Sequence, residues 1–322
     1  MSFSLPTILP GRGARVVALG HYQPSRIVTN AELSSRIDTT DEWIRSRVGV
    51  RTRHIAAPEE SVTDMATAAA VKALEASGLA ASAIDLVTVA TCTPVIPLPN
   101  VATQVAAALH INAPAAYDIN TACSGFSYAL ATAHHAILAG SARHALVIGA
   151  EKLSDWTDWN DRTTCVIFGD GAGAAVVSAS DTEGIGPVVW GSDGVQGSTL
   201  RVESRDGKIQ QDGQKVFRWA TSSLAPIAMS ACKQAGIEPA ELAAFIPHQA
   251  NVRIVDLIAG KLGLGAAVVA RDIIESGNTS SASIPMALSK LTEQRQIPSG
   301  APVLLFGFGG GLTYAGQVIA SP

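Results

Sequence analysis

The sequence predicts an α/β protein built from two duplicated halves, and three observations carry this prediction. Strand-like runs alternate with Ala-rich helical runs along the 322 residues, which is typical of α/β folds with buried strands. Several segments of the first half recur in the second half. Hydrophobic residues make up 47% of the chain and charged residues 16%, which is enough to bury a large core.

The predicted strands are short apolar runs separated by the helical runs. In chain order they are ARVVALG, DLVTVATCT, HALVIGA, GAGAAVVSAS, AAFIPH, AAVVARDI and APVLLFGFG. The helical runs between them include residues 62–77 and 222–236. No linker or low-complexity segment divides the chain, and the most polar interval, 192–215, is expected to be a surface excursion.

An internal repeat supports the duplication. IDLVTVATCTP resembles LAAFIPHQAN, YDINTACSGFSYAL resembles RDIIESGNTSSASIPMAL, and ALVIG resembles VLLFG. The paired residues, about 154 to 158 positions apart, are Cys92 with His248, Asp118 with Asp272, and Gly149 with Gly307. We therefore predict a first half over residues 1–180 and a second half over residues 181–322, packed against each other.

Composition and charge argue against several classes of function. A net charge of −4 without a basic run disfavours a nucleic-acid partner. No apolar stretch convincingly reaches the ~18 uninterrupted residues that a membrane helix needs. The start MSFSLPTILPGRGARVV lacks the pattern of a secretory signal. We therefore expect a cytoplasmic protein. The four cysteines do not show the spacing that is typical of metal sites or disulfides. They are Cys92, Cys123, Cys165 and Cys232.

Cys123 lies where a predicted strand turns into a predicted helix, and two interpretations are open. A buried cysteine commonly fills a gap in a core as a small hydrophobe. Alternatively, the backbone N–H groups and dipole of a helix N-terminus favour a thiolate and make it a nucleophile. The segment alone favours the first interpretation.

Three segments each present one reactive residue at a strand end or turn. These are Cys123 in TACSGF, His248 in FIPHQANVRI and Asn278 in ESGNTSSASIP. A thiol needs a neighbouring cation, hydrogen-bond donor or helix dipole to react at neutral pH. A His and an Asn side by side can both donate to one developing oxyanion. Taken singly, His248 could cap a helix and SGNTSS could be an ordinary turn, but their joint occurrence favours a catalytic site.

Six motifs occur in order along the chain. They are DTTDEWIRSRVGVRTRHIAAPEES, DINTACSGFSYAL, DRTTCVIFGDGAGAAVV, FIPHQANVRI, SGNTSSASIP and FGFGGGLTYAG. Together they resemble the pattern of β-ketoacyl-acyl-carrier-protein synthase III, the priming condensing enzymes of the thiolase superfamily, from about Val16 to the C-terminus. The resemblance implies the thiolase-like five-layered αβαβα fold built from two duplicated halves, a homodimer, and coenzyme A thioesters as substrates without a metal or redox cofactor.

The resemblance also implies roles for individual residues. Cys123 is the acylated nucleophile, His248 and Asn278 complete its triad, and the backbone amides of Cys123 and Gly310 form an oxyanion hole. A planar Arg stacked with an indole suits the purine of coenzyme A. The residues that match the coenzyme-A-binding positions are Thr39, Trp43, Arg47, Arg162, Gly213, Phe217 and Asn251.

Two positions depart from the family pattern. Leu98 in PVIPLPNVA stands where several relatives have Phe, in the loop that reaches across the dimer to close the acyl pocket. Ser281 in GNTSSAS stands where Ala is common, which leaves the triad intact. GDGAGAAVV lacks the Lys-Ser/Thr ending of a phosphate-binding loop and precedes a strand-like run. Its glycines are expected instead to let the two halves approach closely.

We therefore predict a condensing acyltransferase that primes fatty-acid synthesis. Acyl-CoA acylates Cys123, and decarboxylative condensation with malonyl-acyl-carrier protein gives a β-ketoacyl-acyl-carrier protein. Because carrier proteins are acidic, basic residues near the tunnel mouth are expected to dock them. The candidate docking residues are Arg218, Arg253 and Lys261.

Other functions stay open at this point. A specialised-metabolism (polyketide) relative with the same triad would use an unusual starter or pass the acyl group to a small molecule. A biosynthetic thiolase is disfavoured because GFGGG lacks the second Cys of such enzymes. A non-catalytic partner subunit is disfavoured by the intact Cys, His and Asn set.

Overall fold

The computed structural model describes residues 13–94, 96–204 and 206–322. Its strands are β1 (Gly13–Tyr22), β2 (Arg26–Thr29), β3 (Thr52–Ile55), β4 (Leu86–Ala90), β5 (Ala115–Ile119), β6 (His144–Glu151), β7 (Gly171–Ser180), β8 (Val189–Ser192), β9 (Leu200–Arg201), β10 (Gln210–Gln211), β11 (Ala244–Pro247), β12 (Val268–Val269), β13 (Pro302–Gly309) and β14 (Thr313–Ala320). Its helices are α1 (Asn30–Ser34), α2 (Asp41–Arg47), α3 (Val62–Ser77), α4 (Val101–Ala108), α5 (Gly125–Leu138), α6 (Gly213–Gln234), α7 (Val252–Leu262), α8 (Ile273–Ser276) and α9 (Ser283–Glu293).

Two five-stranded sheets with matching strand order form the centre of the described structure. The first sheet has the order β1-β7-β6-β4-β5 and the second has the order β8-β14-β13-β11-β12. In each sheet the last three strands run parallel, and the first two pairs are antiparallel. This correspondence confirms the predicted duplication. The boundary between 180 and 181 stays a prediction, and residues 1–12 of the first half lie outside the described residues.

Alternating side chains along the central strands build five layers, because successive residues of a strand face opposite sides of its sheet. In β6, Leu146 packs with the outer helices α3 and α4, whereas Ala145 faces the central helices α5 and α9. In β13, Leu304 packs with α6 and α7, whereas Val303 faces the same central helices. The helix pair α5 and α9 is therefore shared by both sheets, and the five-layered αβαβα fold is confirmed.

Glycines at equivalent positions let the two halves approach closely. Gly149 in β6 lies against the backbone of Ser281, and Gly307 in β13 lies against the backbone of Ser124. A Cβ at Gly307 would stand 2.8 Å from Ser124 Cα, and one at Gly173 would stand 2.6 Å from the backbone nitrogen of Met286. These positions need glycine because any side chain would meet backbone. The expectation for the glycines of GDGAGAAVV is confirmed at Gly173.

Candidate active site

Cys123 lies in a short 3-10 turn, Ala122–Ser124, that leads directly into α5. Ala122 has a φ of 46°, a left-handed conformation that is uncommon for residues with a Cβ and is often found at functional sites. The cysteine is 7% exposed. Gly309 packs against it so tightly that a Cβ there would stand 2.6 Å from Cys123 Cβ. The thiol therefore occupies a constrained position at the start of a helix, as the sequence predicted.

A second turn of the same shape faces the first. Ser280–Ala282 also form a 3-10 turn before a helix, and Ser280 has a φ of 48°. Asn278 Oδ1 accepts a hydrogen bond from the Ser280 N–H at 2.8 Å, and Asn120 Oδ1 accepts one from the N–H two residues later at 3.3 Å. In the folded protein Asn278 is thus equivalent to Asn120, and Ser281 is equivalent to Cys123. The sequence repeat matched the two segments, but it did not give this register.

His248 follows β11 directly, and its backbone N–H donates to Phe306 O at 2.8 Å. The ring is buried, its Nδ1 lies 2.8 Å from Ser283 Oγ, and its edge packs on Phe308 with 5.3 Å between centroids. Burial lowers the pKa of His248 to about 3, so the imidazole is neutral at neutral pH. When Ser283 donates to Nδ1, Nε2 carries the proton. The ring is therefore suited to donating a hydrogen bond rather than to accepting a proton.

The acidity of the Cys123 thiol differs from the sequence-based hypothesis. Burial raises the pKa of Cys123 to about 11, although hydrogen bonds from the Ser280 hydroxyl and the Gly310 N–H act in the opposite direction. Desolvation disfavours the charged form, and here it outweighs the stabilisation expected from the start of α5. The thiol therefore holds its proton at neutral pH, and this proton has to leave during the reaction.

Cys123 lies where two cavities meet. The larger cavity, of about 700 Å³, also contacts His248 and Asn278. The smaller cavity, of about 400 Å³, has a mainly apolar wall beyond Cys123. The apolar side chains of that wall are Leu153, Trp156, Phe168, Leu200, Val202 and Ile209. Cys123 thus lies between a wide cavity, called the entrance below, and a smaller cavity with a mainly apolar lining.

The structure brings most of the predicted coenzyme-A-binding residues to the entrance. The residues that line the larger cavity are Trp43, Arg47, Gly213, Phe217 and Asn251. The Arg162 guanidinium lies 4.7 Å above the Trp43 ring, which is the predicted stack of a cation on an indole. Thr39 is outside the lining of this cavity, and its Oγ1 is buried without a hydrogen-bond partner among the described residues.

The predicted docking residues do not share one environment. Arg218 and Arg253 line the entrance, and the Arg253 guanidinium lies 5.0 Å above the Phe217 ring. Lys261 is outside that lining, and its Nζ donates to the carbonyl of Thr221. The structure therefore places two of the three cations at the entrance.

Leu98 lies outside the lining of both cavities and is 80% exposed. Ile96 in the same loop is 63% exposed. Within the described chain, Leu98 therefore does not close the apolar pocket, and contact with that pocket would require a second subunit.

Sequence reasoning missed Glu151 and Ser280. Glu151 ends β6 as a fully buried carboxyl beside both turns, and Ser280 lines the smaller cavity with Cys123. A carboxylate at the end of the apolar run HALVIGAE was the available signal. Across the described ranges, no group of three His, Cys, Asp or Glu residues is placed to hold a metal ion. No helix in them is long and apolar enough to cross a membrane.

Comparisons with known proteins found related sequences and structures. The family model for 3-oxoacyl-[acyl-carrier-protein] synthase III matches residues 117–194, and its C-terminal model matches residues 232–321. A β-ketoacyl-[acyl-carrier-protein] synthase III of Streptomyces coelicolor is 57% identical over 97% of this chain and 99% of the relative. One from Streptomyces glaucescens is 44% identical over 98% of this chain and 99% of its own.

Solved structures are similar over nearly the whole chain. The priming β-ketosynthase from the R1128 polyketide biosynthetic pathway has a TM-score of 0.95 and 42% identity, covering 98% of both chains. A 3-oxoacyl-[acyl-carrier-protein] synthase III from Aquifex aeolicus has a TM-score of 0.93 and 40% identity, covering 96% of this chain and all of the other.

Proposed function

Because the chain belongs to the 3-oxoacyl-[acyl-carrier-protein] synthase III family, we propose that Cys123, His248 and Asn278 are its catalytic triad. The protein is a condensing acyltransferase that acts in fatty-acid or polyketide priming. The observation that carries the residue roles is the position of Cys123 at the junction of two cavities, with His248 and Asn278 on the entrance side.

The first half-reaction is transfer of the acyl group from coenzyme A to Cys123. The stacked pair of Trp43 and Arg162 suits a purine at the entrance, and the acyl chain extends into the apolar pocket. Cys123 Sγ attacks the thioester carbon, and the carbonyl oxygen becomes an oxyanion. We expect the backbone N–H groups of Cys123 and Gly310 to stabilise this oxyanion, and the same two groups act to lower the pKa of the Cys123 thiol.

The second half-reaction uses malonyl carried on an acyl carrier protein. Decarboxylation produces an enolate, and His248 Nε2 and the Asn278 amide donate hydrogen bonds to its oxygen. Since Asn278 Oδ1 already accepts from Ser280 N–H at 2.8 Å, its NH₂ group is free to donate. The enolate carbon then attacks the Cys123 thioester and releases the β-ketoacyl product.

The acyl group that is loaded first, the starter, distinguishes priming of fatty-acid synthesis from priming of polyketide synthesis. A cavity of about 400 Å³ beyond the thiol holds more than an acetyl group, and similarity to a polyketide priming β-ketosynthase supports a polyketide starter as the second candidate. Mass spectrometry after incubation with a panel of acyl-CoAs tests both. Acylation of Cys123 supports the function, its absence with every acyl-CoA contradicts it, and the preferred chain identifies the starter.

We also propose a homodimer in the cytoplasm. The exposed apolar side chains of Ile96 and Leu98 lie on one loop, and exposed apolar patches commonly mark subunit interfaces. All four cysteines are free thiols, which fits a reducing compartment. Sedimentation of the purified protein tests the dimer, and a monomer at micromolar concentration would contradict it.

Leu98→Phe should shift starter preference toward acetyl-CoA. If Leu98 of one subunit closes the pocket of the other, a larger ring shortens the pocket, and changes of this size alter binding by roughly 1–3 kcal/mol. The measurement is the ratio of kcat/KM for acetyl-CoA and for longer or branched acyl-CoAs. Val195→Phe is a matched control because Val195 is also apolar and is 95% exposed. An unchanged ratio in Leu98→Phe would place Leu98 away from the pocket.

Arg253→Glu should raise the KM for malonyl-acyl-carrier protein while changing acylation by acyl-CoA much less. Arg253 lies at the entrance, where positive charge steers an acidic carrier. Lys233→Glu is the control, because this exposed residue lies at the far end of α6. Equal effects of Arg253→Glu on both half-reactions would contradict docking at this residue.

A further inference from the structure

Arg53 is a fully buried cation in β3, and it lies outside the lining of both cavities of the site. Burial lowers the pKa of Arg53 to about 10, so the guanidinium is charged at neutral pH. It forms no ion pair with any Asp or Glu of the described chain. A buried charge without an opposite charge is costly, so its place in the protein needs an explanation.

The guanidinium of Arg53 connects two segments of the chain. Its Nη2 donates to Val166 O at 2.9 Å and its Nη1 donates to Val28 O at 3.3 Å, and both valines belong to one apolar cluster. Its Nε has no hydrogen-bond partner among the described residues. The planar fork of an arginine can donate to two separate acceptors at once. Arg53 therefore joins β2 to residues 166–169, called the support segment below.

The support segment holds the backbone of Asn278. The Asn278 N–H donates to Ile167 O at 2.9 Å, and the Gly169 N–H donates to Asn278 O at 3.0 Å. These two bonds form an isolated parallel bridge between Phe168 and Asn278. The carbonyl that Arg53 binds thus comes directly before the carbonyl that binds the Asn278 N–H.

The aliphatic part of Arg53 packs against the residue before Asn278. Gly277 has a φ of 71°, and a Cβ there would stand 3.0 Å from Arg53 Cβ and 3.2 Å from Ile167 O. Gly277 therefore passes between β3 and the support segment, where a side chain would be crowded. The stem of Arg53 limits where this backbone can lie, and its guanidinium fixes the support segment on the other side.

The direction of the Asn278 amide depends on these backbone contacts. Asn278 lines the entrance, and its Oδ1 accepts from the Ser280 N–H at 2.8 Å. Its NH₂ group is the end that donates to the enolate oxygen in the proposed reaction. A misplacement of about 1 Å caused by a change far from the reacting atoms can cost about 10²-fold in rate. Small shifts of the support segment should therefore affect the step that uses this amide.

We propose that Arg53 is a positioning residue for Asn278, an inference that rests on the proposed role of Asn278 in decarboxylation of malonyl-acyl-carrier protein. Arg53 does not contact the substrate. It holds the support segment and the chain before Asn278 so that the amide points at the enolate oxygen. Cys123 lies on another turn, at the start of α5 and against Gly309, so its acylation does not depend on Arg53.

Arg53→Met tests this role, because methionine fills the space of the stem but cannot donate to the two carbonyls. The assay is carbon dioxide release from malonyl-acyl-carrier protein by variant enzyme that has been acylated beforehand. We expect its kcat to fall by about 10- to 100-fold with KM unchanged, because the carrier binds at the entrance. Single-turnover acylation by acyl-CoA should change much less. Urea unfolding shows whether the variant is folded under the assay conditions.

Arg53→Lys and Arg51→Met are the matched variants. Lysine keeps the charge and one group that can donate to Val166 O, so Arg53→Lys should recover part of the lost rate. Arg51 is an exposed arginine directly before β3 that pairs with Glu275 at 3.6 Å, and Arg51→Met should retain wild-type rates. Equal losses in both half-reactions, or wild-type decarboxylation in Arg53→Met, would overturn the inference.

A double variant separates positioning from general damage to the site. Asn278→Asp removes the amide donor, so Arg53→Met should cost little more when it is added to Asn278→Asp. Residues that act through one another are not additive, whereas independent effects multiply in the rate. A double variant whose loss is the product of the two single losses would contradict the inference.

The outcomes also separate this inference from the function on which it rests. If Arg53→Met does not fold, the ratio of the two half-reactions in Arg53→Lys decides the question. If the wild type is not acylated by any acyl-CoA, or Asn278→Asp releases carbon dioxide at the wild-type rate, the proposed function fails and the inference fails with it. If Asn278→Asp is slow and Arg53→Met is not, only the positioning role fails.

Discussion

We expect Cys123→Ala to abolish acylation and condensation, and His248→Ala to retain acylation but lose decarboxylation of malonyl-acyl-carrier protein. The thiol is the group that would carry the acyl chain, so no acyl-enzyme forms without it. His248 is neutral and buried, so its expected role is to donate to the enolate oxygen. Loss of one such donor costs on the order of 10²–10³ in rate. The measurement is loading with labelled acyl-CoA, followed by carbon dioxide release.

Asn278 gives a sharper version of this experiment. Asn278→Ala would also remove the acceptor of the Ser280 N–H, whereas Asn278→Asp keeps that acceptor and removes the amide donor. Asn278→Asp should therefore be acylated normally and release carbon dioxide slowly. If His248→Ala cannot be acylated yet releases carbon dioxide at the wild-type rate, the roles are reversed, and His248 is the base for Cys123.

Gly307→Ala should destabilise the protein and reduce its activity together. The new Cβ would stand 2.8 Å from Ser124 Cα, and backbone cannot move aside as the end of a side chain can. Overpacking of this kind costs typically about 1–3 kcal/mol. Because Ser124 follows Cys123, the displaced turn should also lower the acylation rate. Urea unfolding and single-turnover acylation measure the two effects.

Gly149→Ala and Gly260→Ala complete this test. Gly149 makes the equivalent contact with the backbone of Ser281, so its substitution should destabilise the protein similarly. Gly260 lies in α7 with open space around it, and Ala there should stabilise the helix by roughly 0.5–1 kcal/mol. Wild-type stability in Gly307→Ala would show that the halves can separate at this contact without cost.

The pattern of the sequence was sufficient for the fold because this pattern is local. HALVIGA and APVLLFGFG are continuously apolar because both faces of each strand are buried. Successive side chains along each run face different layers. Only a short part of the run AAVVARDI forms a strand, Val268–Val269. This strand lies at the edge of its sheet and pairs on one side only.

The residues of the candidate site could be predicted only in part from the sequence. Cys123, His248 and Asn278 stood out because reactive residue types follow predicted strands at repeated places. Glu151 and Ser280 did not, because a carboxyl at a strand end and a serine in a turn are common. They lie together only because the fold brings distant segments of the chain within 3.1 Å of each other.

The sequence by itself determined the duplicated α/β architecture, the family and the reactive residue types, since each depends on the order and spacing of residues. Only the tertiary structure decided the protonation of the site. Burial between the two sheets keeps the proton on Cys123, with a pKa of about 11, and keeps His248 neutral, with a pKa of about 3. Desolvation of a side chain depends on everything that surrounds it in the folded protein, not only on its neighbours in the sequence. No local sequence pattern therefore encodes it.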